Sequence, residues 1–94
     1  MFTYLGHCHA MRQGAHMRFV AAVFCADRGE FEAPVRTELA ARGYQLEGCD
    51  TVLPADDWIA LHPASNGKQL AAMVGLERPV VLSDMRPVEY IEQI

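Results

Sequence analysis

The sequence lacks any stretch of ~18 apolar residues, the length that a membrane-spanning helix needs, and it has no basic N-terminal region followed by a long apolar run. It also lacks the phosphate-binding signatures G-x-G-x-x-G and G-x-x-x-x-G-K, and it contains no recognisable catalytic motif. Acidic residues outnumber basic ones by 12 to 8, whereas nucleic-acid binding normally needs a basic face. These absences favour a cytoplasmic protein that binds neither membranes nor nucleic acid, and they argue against an enzyme.

The sequence has no C-x-x-C motif, and its three cysteines are Cys8, Cys25 and Cys49. An odd number excludes a complete disulfide framework, so we expect free thiols in a reducing compartment. Cys8, between His7 and His9, is the only candidate nucleophile. Because side chains alternate along a strand, both histidines would point away from Cys8, which argues against Cys-His catalysis.

The length of 94 residues allows one domain, residues 1–94, with one hydrophobic core. A chain of this size buries only about 60–65% of its unfolded surface, so its stability is marginal. Hydrophobic residues make up 51% of the chain, slightly above the usual share. A small domain of this composition can bury apolar surface against a second copy, so a homodimer is an expected alternative to a monomer.

Two apolar runs separated by a short polar segment predict an N-terminal β-hairpin. The runs are Phe2 to Met11 and His16 to Ala26, and a glycine-containing segment lies between them. One face of the second strand is apolar throughout, and the other face becomes apolar only in its C-terminal half. We therefore expect that half to be covered on both sides.

The rest of the chain alternates helical and extended patterns. Asp27 and Glu30 have capping-box spacing, and the helix that follows should begin near Ala33 or Pro34, since proline is tolerated in a first turn. Its apolar stripe has a period of four: Phe31, Val35 and Leu39. Later segments predict a strand, two short helices and a last strand: 44–52, 55–62, 66–74 and 79–83.

The element order β-β-α-β-α-α-β predicts an α+β fold. Its simplest assembly is a mixed, largely antiparallel sheet of about four strands with the helices on one face. The semi-apolar tail, with Tyr90, Ile91 and Ile94, is expected to dock on the body of the domain or on another subunit.

Histidines cluster in the predicted hairpin. His7 and His9 share one strand face, and His16 lies across the hairpin from them. Three imidazoles in this arrangement could hold a transition metal such as zinc, with a carboxylate or water completing the site. The alternative is a polar strand face on which the histidines are exposed or bonded to neighbours, with no cofactor.

A second candidate surface is acidic. The segment from Glu47 to Asp57 contains four acidic residues and no basic one: Glu47, Asp50, Asp56 and Asp57. Such a patch could steer a basic protein partner towards the domain. The alternative is a solvated acidic surface, with Asp56 and Asp57 complementing the positive end of a helix.

The middle of the chain has an order of elements that resembles a known group. An apolar strand over 20–26 leads into Asp27 and an acidic amphipathic helix, which ends at Gly43-Tyr44 before a strand that runs to Val52-Leu53-Pro54. Over about a third of the chain, this resembles small α+β proteins of bacterial toxin–immunity systems. The resemblance implies a cytosolic protein that binds and blocks one toxin, and it assigns no site residue.

The sequence therefore predicts a protein-binding module, most specifically an immunity-like inhibitor that uses the acidic patch. A second hypothesis is a small metal-binding protein that uses His7, His9 and His16. A third is a dimeric α+β enzyme with the same histidines, whose pocket forms between subunits.

Overall fold

A computed structural model of the protein describes residues 1–88. The elements follow in chain order: β1 (Phe2–Arg12), β2 (Ala15–Cys25), a 3-10 turn (Arg28–Glu30), α1 (Glu32–Ala41), β3 (Gln45–Pro54), α2 (Ala55–Leu61), α3 (Gly67–Met73), β4 (Val80–Leu82) and β5 (Arg86–Pro87). The predicted α+β class and element order are confirmed, and the two-residue β5 is an addition. The tail residues Tyr90, Ile91 and Ile94 lie outside the described residues.

The sheet has the strand order β3-β1-β2-β4. The short β5 also pairs with β2, further along the same edge at Met17 and Arg18. Every pairing within residues 1–88 is antiparallel. The β1–β2 hairpin turns at Gln13 and Gly14, which have φ values of 51° and 79°. Positive φ at both central residues is the geometry of the tight hairpin turns that match strand twist.

The helices pack on both faces of the sheet, which differs from the expected placement on one face. On one side Val35 and Leu39 of α1 join a core that includes Cys8 and Phe19. On the other side α2 and α3 cover Leu5, Ala22 and Val81 through Trp58 and Leu70. The physical reason lies in β2, whose C-terminal half is apolar on both faces and therefore needs cover on both sides.

The start of α1 keeps only part of the predicted capping arrangement. Asp27 makes no side-chain capping hydrogen bond. The Glu30 carboxylate does reach back and accept a hydrogen bond from the Ala26 N–H at 3.2 Å. Pro34 lies in the first turn of α1, where a missing N–H costs little because those amides have no partner within the helix.

Candidate binding face

The far half of the β1–β2 hairpin extends beyond the part of the sheet that α2 and α3 cover. On that side of the sheet lie His9, His16 and Arg18 of the hairpin, with Glu47 and Asp50 of the neighbouring β3. We call these five residues the open face. Their placement follows from strand alternation, which puts odd residues of β1 and even residues of β2 on the same side.

Two histidine–carboxylate pairs occupy the open face. His9 Nε2 lies 3.5 Å from Asp50 Oδ2, and His16 Nδ1 lies 2.8 Å from Glu47 Oε1. The β1–β3 register shifts between His9 and Ala10, so Glu47 is the extra residue of β3 at this point. A bulge of this kind re-aims a side chain. Two of the three predicted metal-binding histidines, His9 and His16, and part of the predicted acidic patch thus share one surface.

The two pairs line a single groove. Its volume is about 520 Å³, and its walls include Gly48 and Val88 as well as the four paired side chains. The Asp50 side chain is 74% exposed and the His9 side chain 44%. Exposed contacts of this kind contribute at most about 1 kcal/mol to folding.

His7 does not join the other two histidines of the predicted metal site. Its ring centroid lies 5.0 Å from that of Trp58 and 4.8 Å from that of His62. Burial lowers the pKa of His7 below its ordinary value, and the nearby His62 and His9 lower it further. His7 is therefore a neutral imidazole at neutral pH.

The cluster of His7, Trp58 and His62 was not predicted from the sequence. Trp58 and His62 are four residues apart at the C-terminal end of α2, which places them on one side of the helix with centroids 4.5 Å apart. That spacing is the signal that could have linked them. Trp58 Nε1 and His62 Nε2 are buried and have no hydrogen-bond partner among the described residues.

A metal site is not assembled in the described part of the chain. Among residues 1–88, no three His, Cys, Asp or Glu side chains are grouped closely enough to hold an ion. His7 turns towards Trp58, while His9 and His16 each contact a carboxylate. The site of His7, His9 and His16 stays a prediction.

The acidic patch of the sequence is divided in two. Glu47 and Asp50 belong to the open face, whereas Asp56 and Asp57 lie exposed in the first turn of α2. The C-terminal part of β3, from Asp50 to Pro54, lies between the two groups. Asp56 and Asp57 occupy the position where a negative charge complements a helix dipole.

Comparison of the chain with protein-family models, curated proteins and solved structures finds no match. Among the helices of residues 1–88, none is long and apolar enough to cross a membrane.

Proposed function

We propose that this domain is a protein-binding module and that the open face is its contact surface. The observation that carries the proposal is the pair of histidine–carboxylate contacts, His9 with Asp50 and His16 with Glu47, which line one groove on a sheet surface that the described helices leave partly exposed. Charges of both signs on one surface favour a polar protein partner, because complementary patches set orientation and raise the association rate.

The position of β3 supports the same surface. β3 is an edge strand of the described sheet, so the outward backbone N–H and C=O groups of a ten-residue strand lie beside Glu47 and Asp50. An extended segment of a partner can add to such an edge by main-chain hydrogen bonds, while side chains provide specificity.

The most specific form of the proposal is an immunity-like inhibitor that binds and blocks one bacterial toxin in the cytoplasm. Its support is the small acidic chain, the missing catalytic motif and the open face. A basic toxin surface would complement Glu47 and Asp50. A second copy of the chain is the other candidate occupant, which would make the protein a homodimer.

The test begins with capture of the partner by the tagged protein from extracts of its source cells, followed by calorimetry with the purified partner. The double variant E47Q/D50N should weaken binding by roughly tenfold or more, as expected when charged hydrogen-bond partners at a contact surface are lost. The matched control is D56N/D57N, which removes the same charge from α2 and should change the Kd by less than about twofold. Equal affinity of wild type and E47Q/D50N would exclude the open face.

Metal binding is the second candidate function, because two imidazoles and two carboxylates line the same groove. In this structure they are not grouped closely enough to hold an ion, so binding would have to draw them together. Zinc accepts both ligand types. Native mass spectrometry of the zinc-treated protein would show a stoichiometric adduct that disappears in H9Q/H16Q. Persistence of the adduct in H7Q would assign it to the groove, and its loss in H7Q would favour the three-histidine site. The same spectrum also tests the dimeric-enzyme hypothesis, which requires two subunits and a ligand that copurifies with them.

A further inference from the structure

A second groove overlaps the edge of the open face, with which it shares His9 and Arg18. Its volume is about 600 Å³. His7, His9, Arg18 and Val20 of the sheet contribute to its lining, which also includes the loop 64–66 and residues of the segment 83–86. This volume lies in the range of pockets that hold small organic molecules.

Basic side chains form a row across the sheet in this groove. Arg18 of β2 is directly opposite Arg86 of β5 on one side and His9 of β1 on the other. Directly opposed residues of antiparallel strands share a face, and like charges in such positions destabilise a sheet. Within the described residues, neither guanidinium forms an ion pair or hydrogen bond. Both side chains are exposed, so water and salt screen their mutual repulsion, and an anion bound between them would be attracted by both.

The chemistry of the row selects a phosphoryl group. Each guanidinium offers a planar fork of N–H donors that can bind both oxygens of a carboxylate. Two guanidinium groups therefore suit a ligand with more than two oxygens. A phosphomonoester presents three oxygens and close to two negative charges. His7 also lines the groove. It lies close enough to Arg18 for that charge to lower its pKa, and it adds a neutral hydrogen-bonding group. The remaining volume is sufficient for an organic body beside Ser65 and Asn66.

We propose that the groove between the loop 64–66 and the strand pair of Arg18 and Arg86 binds a small phosphomonoester, with the two guanidinium groups holding its phosphoryl oxygens. The inference does not rest on the protein-binding function. Asp84 also lines the groove, and its carboxylate lies beyond ion-pair distance of both arginines. It would repel the ligand, so its removal should tighten binding.

The test is an NMR titration of the ¹⁵N-labelled full chain with inorganic phosphate and with glycerol 3-phosphate at constant ionic strength. Saturable shifts should appear at the amides of Arg18, Arg86 and the loop 64–66, and they should be larger for glycerol 3-phosphate. R18Q and R86Q should each raise the Kd by roughly tenfold or more, whereas D84N should lower it. The matched control R28Q removes an exposed arginine from the 3-10 turn and should leave the Kd unchanged.

Two results would overturn the proposal. One is the absence of saturable shifts with either phosphate compound. The other is saturable binding that R18Q and R86Q weaken no more than R28Q does, since the anion would then be held by net charge alone. Neither result bears on the open-face carboxylates, so the protein-binding function can fail or succeed separately.

Discussion

Cys8 and Cys49 face each other across β1 and β3 with their sulfurs 3.0 Å apart. The Cys8 thiol donates a hydrogen bond to the Cys49 sulfur, and this contact lowers the pKa of Cys49. The same contact, followed by burial, raises the pKa of Cys8. Cys8 is completely buried beneath α1, whereas Cys49 lies partly exposed on the edge strand. All three cysteines are free, as expected from the sequence, but they are not chemically equivalent.

This asymmetry predicts the order of alkylation in the native protein. Iodoacetamide near neutral pH should modify Cys49 first, because the thiolate is the reactive form and Cys49 has both the lower pKa and the better access. Cys25 should react more slowly, since burial raises its pKa. Peptide mass spectrometry over time measures the order. In C8A the Cys49 thiolate loses its donor, so its labelling should slow, and an unchanged rate would contradict the proposed hydrogen bond.

Gly67 is expected to tolerate no side chain, although it lies in a helix where alanine is normally preferred. A Cβ at this position would lie 2.5 Å from Cζ3 of Trp58, whose ring is fully buried and cannot move aside. G67A should therefore destabilise the domain by about 1–3 kcal/mol, measured by urea unfolding. The control is G75A, where a Cβ meets nothing within 4 Å. Equal stability of the two variants would contradict the packing of α3 on Trp58.

The lowered pKa of His7 predicts that the stability of the domain depends on pH. The pKa of His7 in the folded protein lies below the ordinary value of 6.5, first because of burial and then because of His62 and His9; Arg18 acts in the same direction and Asp50 against it. The unfolded chain then binds more protons in mild acid. The contribution of His7 to the free energy of unfolding is therefore complete above pH 6.5. It is lost as the pH falls through the pKa of His7 in the folded protein.

Urea midpoints measured from about pH 7.5 to about pH 5.5 test this dependence. The wild type should lose stability over the range, and H7Q should show a flatter profile, since the carboxylates titrate alike in both proteins. Parallel profiles would mean that His7 is protonated as readily in the folded protein as in the unfolded chain.

Ser83 joins β4 to the central strand through its side chain. The Val20 N–H donates to Ser83 Oγ at 2.8 Å, and the Ser83 N–H donates to the Val20 carbonyl at 2.8 Å. S83A should cost about 1 kcal/mol, because it leaves the Val20 amide without this partner. Amide hydrogen exchange at Val20 should accelerate in S83A and not in S83T, which retains a hydroxyl. Unchanged exchange in S83A would show that another group satisfies the amide.

The local part of the fold could be predicted from the sequence because its signals are local. The hairpin strands expected over Phe2–Met11 and His16–Ala26 are observed as Phe2–Arg12 and Ala15–Cys25. Strand alternation also places His9 and His16 on one face correctly. The helix stripe of Val35 and Leu39 is buried as its four-residue period indicates.

The relationships between distant segments could not be predicted in this way. No local pattern indicates that β3 pairs with β1. That pairing is what brings Glu47 to His16 and Asp50 to His9. The contact between His7 and His62 likewise depends on how α2 docks on the sheet. Strand order and helix docking are decided by long-range packing, so the candidate residues were found in the sequence while their partners were not.

We propose that the open face is the contact surface for a protein partner. Hydrogen–deuterium exchange of the protein alone and in complex with its captured partner tests it most directly. We predict protection of the peptides that contain His9, His16, Glu47 and Asp50, with exchange in α1 unchanged. Protection confined to α1, or to the first turn of α2 with Asp56 and Asp57, would contradict the assignment.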